Sequence, residues 1–372
     1  MKFLVVLGRE SKISLAELEA LYGSDNIEPL TNTLALVTAD FVDINRLGGA
    51  IKVAKVLDES PTDYLSQLPE GKITLGVSDY SPKANQKTAW ALALKYKNLL
   101  KRHGRNVRLI PGKTATISSA TAHHNQLGEK LNHIELVKFG KDQFATSVGT
   151  QNITSYAKRD QARPARDAFV GMLPPKLAQI LINLATTGAK DGRLLDPFCG
   201  TGVVLQEASL MGYQVYGTDL SEKMINYSER NLSWLAGRYS DINQKPQLEA
   251  GDATSHQWKP APDFVASEIY LGHPMSQPPA EIKFRSEKES AEALLTAFLK
   301  NIGNQIKSGT TLALAIPAWL RHNGEYSGLD IVDRLDNLGY NLIKYRYAGL
   351  GDLLYYREGQ IVARQIIVLR KK

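Results

Sequence analysis

From Arg193 onward, short strand-like segments alternate with helical ones, and that alternation leaves few folds open. The strands read as Leu194-Leu195, Gln214 to Gly217, Gln247 to Ala250, Asp263 to Ala266 and Thr311 to Ile316. Strands joined through helices run parallel and are covered on both faces, because each crossover lays a helix on the sheet. Tyr340 to Tyr347 and Ile361 to Leu369 have no helical pattern between them and read as an antiparallel hairpin closing that sheet. The first strand runs into Asp196-Pro197-Phe198-Cys199-Gly200-Thr201-Gly202, and Val203 to Ala208 then reads as a helix.

A strand, a tight Gly-x-Gly turn and a helix start bring backbone N–H groups up to a small ligand. A dinucleotide fits poorly, because Leu205 stands where the third glycine of that fingerprint belongs. The carboxylate of Asp196 repels a pyrophosphate and attracts a cation. S-adenosylmethionine, with its ammonium and sulfonium, matches those requirements, and Asp196, Phe198, Cys199, Gly200, Thr201 and Gly202 are the expected cofactor turn. Ligands of such sheets lie beyond the C-terminal strand ends, and each strand end here offers an acid. Asp219, with Leu220 beside it, suits the ribose hydroxyls, and Asp252, with Ala253, suits the adenine amino group. Ser221 is placed to cap the helix of Met224 to Leu235. Glu268 ends the fourth strand, where an acceptor would meet the sulfonium. An exocyclic amine on a base is a poor nucleophile, and a carboxylate accepting its hydrogen bond raises its electron density and aligns it. Tyr270 can stack on an extruded base. Glu268 and Tyr270 are therefore the catalytic candidates. The plainer readings are a helix-start acid at Asp219, a turn residue at Asp252, a cap at Glu268 and a packed ring at Tyr270.

At 372 residues the chain exceeds one ordinary core, and two or three domains are expected. The N-terminal part reads as two small α/β units. One spans residues 1–70, with strands Lys2 to Leu7, Thr33 to Thr38 and Ile51 to Leu57. It also has a helix opened by the capping box Ser14–Glu17, a short helix over Asp40 to Leu47 and a linker from Ser60 to Gly71. The other spans 71–150, with a long helix from Ala84 to His103 and strands near Val107 to Ile110, Ile134 to Phe139 and Phe144 to Val148. Residues 151–190 read as a turn-rich connector and a first helix after Pro174-Pro175, and 191–372 as the catalytic domain.

Net charge is +7 and the pI near 9.2, which points to an acidic partner. The charge is concentrated. Lys83, Lys87, Lys95, Lys97, Lys101, Arg102, Arg105, Arg108 and Lys113 fall in one stretch without Asp or Glu, so the rest of the chain is slightly acidic. A surface helix normally mixes signs, and a one-signed face suits phosphates, positioning a nucleic acid without reading its sequence. Arg159, Arg163 and Arg166 either extend that contact or tether domains by ion pairs. The single cysteine, Cys199, leaves no internal disulfide and argues against a zinc cluster. His123, His124 and His133 lack an acid or cysteine at ligand spacing, so no metal is expected. Phe3 to Leu7 is too short for a signal peptide core or a membrane span, and the expected setting is the cytoplasm, with no membrane partner.

The chain resembles the THUMP-domain tRNA guanine-N2 methyltransferases of archaea and eukaryotes, which modify guanosine at position ten. The resemblance rests on Arg159-Asp160 with Arg163-Pro164, on Leu173-Pro174-Pro175-Lys176-Leu177-Ala178 with Asn183-Leu184, and on Leu195 to Gly202. Leu7-Gly8-Arg9-Glu10 with Leu15-Ala16-Glu17-Leu18-Glu19 is similar to the family's N-terminal ferredoxin-like unit, and 72–149 stand where its THUMP domain would. The resemblance implies a Rossmann-like class I methyltransferase sheet, S-adenosylmethionine around Asp196, Gly200, Gly202, Asp219 and Asp252, and tRNA held by the THUMP unit. Some eukaryotic relatives also work with a small activating protein. One departure is plain. After the fourth strand the family carries Asp-Pro-Pro-Tyr, whereas this chain has Ser267-Glu268-Ile269-Tyr270-Leu271-Gly272. The expected reaction is methylation of guanosine N2 in tRNA. The alternatives are another base amine, such as adenine N6, or a module that binds S-adenosylmethionine and RNA with little turnover.

Overall fold

The computed structural model describes residues 1–167, 173–240, 242 and 245–372, which form two compact units. One comprises Met1–Ser11 and Tyr22–Ala157, the other Lys12–Leu21 and Lys158–Lys372. The elements of the N-terminal half are β1 (Lys2–Leu7), α1 (Ser11–Tyr22), β2 (Ile27–Thr31), β3 (Leu34–Thr38), β4 (Ala50–Val56), α2 (Pro61–Ser66), β5 (Ile73–Asp79), α3 (Gln86–Arg102), β6 (Val107–Ile110), α4 (Ser119–His124), β7 (His133–Lys138), β8 (Phe144–Thr150) and α5 (Ile153–Gln161).

All eight of these strands lie in one sheet, ordered β2-β3-β1-β4-β8-β7-β5-β6. The expected division at residue 70 is therefore corrected. β4 and β8 pair antiparallel from Lys52↔Thr150 to Val56↔Ala145, which joins the strands of the two expected units edge to edge. Lys52 on β4 also forms a buried ion pair with Glu135 on β7, and Ser78 Oγ of β5 donates to the same carboxylate at 2.5 Å. A paired buried charge ties its strands together, because separating it strands both ions. The capping box is also displaced. α1 begins at Ser11, so Ser14 and Glu17 lie inside the helix and are buried. The linker after Ser60 contains α2, capped by the Ser60 hydroxyl accepting from Asp63 N. Only a 3₁₀ turn, Ile44–Arg46, stands in the segment from Asp40 to Leu47 read as a helix. α5 covers part of the expected turn-rich connector.

The second unit continues with α6 (Pro175–Thr186), β9 (Arg193–Asp196), α7 (Val203–Leu210), β10 (Gln214–Asp219), α8 (Glu222–Ala236), β11 (Gln247–Ala250), β12 (Phe264–Glu268), α9 (Glu281–Gly303), β13 (Thr311–Leu320), β14 (Tyr326–Ser327), β15 (Tyr340–Leu342), β16 (Leu354–Tyr355) and β17 (Val362–Lys371). Its sheet runs β11-β10-β9-β12-β13-β17-β15, with the first five strands parallel and β17 antiparallel to both β13 and β15. This is the doubly wound order with a reversed last strand that defines a class I methyltransferase sheet. The strand order reverses between β9 and β12, where open α/β sheets place their ligands.

Two cores cover the sheet. On one face α6 and α7 pack Leu177, Leu181 and Leu205 against Ala266, Ala315 and Ile366. On the other, α9 packs Leu295, Phe298 and Leu299 against Val265, Leu314 and Ile367. Residues 12–21, assigned from sequence to a separate N-terminal unit, instead contribute Ile13 and Ala16 to the first of these cores. Glu17 accepts from Asn183 Nδ2 of α6 at 2.7 Å, and Glu19 accepts the backbone N–H groups of Arg346 and Tyr347, both at 2.8 Å.

Candidate active site

Asp196 is the last residue of β9, and the chain then reverses through Phe198 to Gly202 into α7. The turn is held from three sides. Gly200 N donates to Asp219 Oδ2 of β10 at 2.9 Å, Gly200 O accepts from Ser228 Oγ of α8 at 2.8 Å, and Gly202 N donates to Cys199 O at 2.7 Å. Glycine is required at 202. Its φ is +80°, and a Cβ there would lie 2.8 Å from Ser228 Oγ. Phe198 packs edge-on against Phe298 of α9 with centroids 5.3 Å apart. Cys199 is buried in the core, its Sγ 3.7 Å from Ser228 Oγ, and burial pushes its thiol well above the ordinary range. Its side chain supports the turn. Thr201 is buried too, its carbonyl accepting from Asn231 Nδ2 at 2.8 Å.

Three acids stand at the C-terminal ends of adjacent strands: Asp219 on β10, Asp196 on β9 and Glu268 on β12. Asp219 Oδ1 accepts from Ser221 N at 2.9 Å, so Ser221 donates its backbone N–H here, and its side chain caps no backbone N–H of α8. Asp252 follows β11 and is exposed. Its Oδ1 accepts from both Thr254 N and Oγ1, holding the carboxyl below its usual range and leaving Oδ2 for a ligand. Leu220 is 78% exposed beside Asp219, whereas Ala253 is buried.

Asp196 is only 2% exposed. Its Oδ1 accepts from Ser267 Oγ at 2.6 Å and from Phe198 N at 3.2 Å. Burial, with smaller pushes from the charges of Asp219 and Glu268, raises it from 3.8 to about 7. The native state holds a proton that the unfolded chain loses near pH 4, so this group costs stability increasingly as pH rises from about 4 through 7. A bound cation pulls such a carboxyl back toward ionisation. That makes the cradle fit a ligand carrying a positive charge, beside a turn where only glycine fits.

Glu268 lies where β12 ends, its side chain 14% exposed, and Arg364 Nε of β17 donates to its Oε1. Ile269 turns back into the core and donates its N–H to Ala315 O at 3.0 Å. Tyr270 faces outward, 55% exposed, with its ring 6.3 Å from that of His273. The two catalytic candidates are thus adjacent in sequence but differ in setting: the acid is sunk and paired, the ring open. Arg364 and Ser267 were missed by sequence reasoning. Arg364 could have been found as the one basic residue within the apolar alternation of Val362 to Leu369.

The basic segment forms a face of the other unit. α3 buries Ala89, Ala93, Tyr96 and Leu100 and turns Lys87, Lys95, Lys101 and Arg102 outward, with Trp90 and Leu94 each 39% exposed among them. Lys97 is half-buried, and Arg108 is exposed on the edge strand β6. Lys113 lies in the loop that, with Lys87 and Trp90, borders a pocket of about 260 Å³. Arg105 departs from the expectation. Its guanidinium donates to the carbonyls of Leu68, at 2.9 Å, and of Pro69 and Gly71.

Two connector arginines are also corrected. Arg159 is buried and grips Glu207 of α7 at 2.6 and 3.1 Å, and Arg163 is 3% exposed, its burial opposed by the charges of Asp160 and Glu207. Neither can face a phosphate, whereas Arg166 is exposed. Among the described residues no group of histidines, cysteines and acids could hold a metal, and no helix is long and apolar enough to cross a membrane.

Residues 163–318 match the family described as RMKL-like, methyltransferase domain, a span that runs from Arg163 through the Asp196 turn and Glu268 into β13. A second family, described as DNA methylase, matches 78–230 and ends before β12. The chain is 31% identical over 163 residues to a tRNA (guanine(10)-N2)-dimethyltransferase of Methanothermobacter thermautotrophicus, covering 43% of this chain and 44% of that enzyme. It is 45% identical over 62 residues to the enzyme so named from Pyrococcus abyssi, 17% of this chain and 18% of that one. The matches thus span less than half the length of these relatives. The solved structure of TrmN from Thermus thermophilus aligns over the whole of both chains at 19% identity with a TM-score of 0.48. The 163–318 segment thus matches a methyltransferase domain, and the sheet of its unit has the class I strand order.

Proposed function

We propose that this protein methylates the exocyclic N2 amine of a guanosine in tRNA. The observation that carries the reading is the row of strand-end acids, with Asp196 beside the glycine turn for the donor and Glu268 one strand away for the acceptor. The substrate comes from the relatives, which carry the name tRNA (guanine(10)-N2)-dimethyltransferase, and it agrees with a basic face carrying an exposed tryptophan.

S-adenosylmethionine supplies an electrophilic methyl group. Asp196, with Phe198 to Gly202, would hold its amino-acid end, Asp219 the ribose and Asp252 the adenine. Glu268 would accept one N–H of the guanine amine through Oε2, since Arg364 occupies Oε1. That bond orients the nitrogen lone pair for transfer and receives the proton that the methylated amine sheds, which then passes to water. Tyr270, open at the same strand end, would stack on the extruded base.

Labelled S-adenosylmethionine and unmodified tRNA, followed by mass spectrometry of the nucleosides, tests this directly. N2-methylguanosine or its dimethyl form is expected. N6-methyladenosine would assign the site to another amine, and an absence of label over a range of RNAs would leave a binding module.

Two expectations follow. Cofactor binding draws Asp196 down from about 7 and so releases a fraction of a proton near neutrality, with affinity rising as pH climbs toward about 7 and levelling above. Calorimetry in two buffers of different ionisation enthalpy reads this, and Asp196→Asn should remove it. Proton uptake in the wild type would show that Asp196 does not meet the cation. For RNA, reversing Lys95, Lys101 and Arg102 to Glu should flatten the salt dependence of tRNA binding by about two to three in log–log slope. An unchanged slope would exclude these residues as phosphate contacts.

A further inference from the structure

Arg364 is 4% exposed at the side chain, and its charge is directed at Glu268 from the far side of β13. The register explains how the two meet. Glu268 lies opposite Ala315, and Ala315 lies opposite Ile366. Arg364, two residues earlier on β17, pairs with Pro317 across β13 and with Tyr355 of β16 on its other side. Ala266, Ala315 and Ile366 share one core face, so by strand alternation Glu268, Pro317 and Arg364 form a row along that face at the end of the sheet. Only small side chains, Ala315 and Pro317, stand between the carboxylate and the guanidinium. A long arginine spans that gap, and a shorter residue would not.

A buried arginine beside a lone buried carboxylate serves structure in many proteins, and such a pair is weak evidence for stability. Here the carboxylate is the strand-end acid of the methyltransferase sheet. We infer that Arg364 is a positioning residue for methyl transfer: it fixes the Glu268 carboxylate through Oε1, keeps it ionised, and leaves Oε2 as the single acceptor for the substrate amine. This rests on the reading of Glu268 given above. In the proposed reaction the amine nitrogen forms the N–CH₃ bond as the S–CH₃ bond breaks, with that electron pair staying on sulfur. The nitrogen then loses its proton to Glu268 Oε2. A carboxyl already protonated accepts the amine hydrogen bond only weakly and cannot take that proton, so its ionisation gates the step.

The charged neighbourhood supports the role. Burial pushes Glu268 upward, and the Arg364 charge and hydrogen bond oppose the rise. Asp196 on β9 and Glu268 repel one another, and Asp219 of β10 acts on Asp196; on α6 Lys176 interacts with Glu17. β13 offers only apolar residues at this level, and β16 offers Tyr355. Arg364 is the cation paired with Glu268 among the described residues.

The test uses the full chain with tRNA, comparing the pH dependence of kcat in wild type, Arg364→Gln and Arg364→Lys. Arg364→Gln should lower kcat at neutral pH on the order of 10- to 100-fold and move its acidic limb upward by about one pH unit or more, with KM for both substrates changed by less than about threefold. Arg364→Lys keeps a charge on a flexible stem and should restore the acidic limb more fully than the rate, because one ammonium does not set the carboxylate plane as a guanidinium does. An unchanged kcat and pH profile in Arg364→Gln would overturn the inference, as would a pH-independent loss that lysine does not recover. Should Arg364→Gln fail to fold, the lysine variant carries the same test through the split between rate and limb. Carbon-13 titration of the glutamate carboxyls, with Glu268→Gln to assign the signal, needs no RNA. A Glu268 midpoint higher in Arg364→Gln upholds the electrostatic coupling even if tRNA proves not to be the substrate, and an unmoved midpoint in Arg364→Gln overturns it. If only Arg364→Lys folds, a midpoint near wild type with a lowered rate upholds the inference and a wild-type rate overturns it.

Discussion

Glu268→Gln is expected to lower methyl transfer by about 10²–10⁴-fold, the range over which a positioned proton acceptor acts, while cofactor affinity stays within a few-fold of wild type. Glutamine is chosen over alanine because Arg364 is directed at this side chain. Alanine would leave a buried guanidinium without its acceptor, and the penalty of that stranded charge would be confused with loss of catalysis. Glutamine keeps a carbonyl oxygen for Arg364 and removes the proton acceptor. Equilibrium binding of S-adenosylmethionine and single-turnover methylation separate the two effects. Methylation at the wild-type rate would remove Glu268 from the mechanism, and cofactor binding lost in parallel would place it with the donor instead of the acceptor.

The other large effect concerns Arg159, and there the expected loss is of stability. The guanidinium holds both oxygens of Glu207 in a site closed to water. Arg159→Ala leaves the Glu207 carboxylate buried and unpaired, and breaking such a pair costs about 3–5 kcal/mol. For a unit of this size that corresponds to roughly 6–20 °C in Tm, read by calorimetry or by circular dichroism on heating. The double replacement Arg159→Met with Glu207→Leu should recover much of the loss, since an apolar pair of similar volume removes the stranded charge. The salt slope of tRNA binding should be unchanged in every folded variant. A flattened slope with normal Tm would return Arg159 to the RNA surface.

These two residues show what a sequence discloses and what it withholds. Asp196, Asp219, Asp252 and Glu268 were legible because a strand-end acid is a local pattern: an apolar run, an acid, then a turn. That these strands run parallel followed from the same alternation, since each crossover lays a helix on the sheet. Arg159 reads from sequence as a phosphate contact or a domain tether, because its partner lies 48 residues away. Arg364 was missed for the same reason, with Glu268 96 residues distant. Arg105 illustrates a third case, in which three backbone carbonyls take the place of the expected phosphate. The N-terminal strands were individually legible, but the β4–β8 ladder, which makes one sheet of two expected units, depends on pairings nearly a hundred residues apart. Long-range pairing leaves no periodic trace.

The placement of residues 12–21 bears on how this chain is made. A ribosome delivers that stretch well before its partners, since the backbone groups that donate to Glu19, at Arg346 and Tyr347, emerge 327 and 328 residues later. The intervening chain has its own sheet to complete meanwhile, and domains tend to fold as units in order of synthesis. α1 must therefore wait, amphipathic and only partly satisfied, until α6 and the region before β16 are delivered. Closing so long a loop costs little more at equilibrium than closing one half its length, but it slows arrival. A fragment started at residue 158 would lack this piece altogether. It would leave Asn183 and the α6 face that meets Ile13 and Ala16 open to water, so the catalytic half is expected to be soluble and active only when those first residues are supplied, in cis or as a peptide.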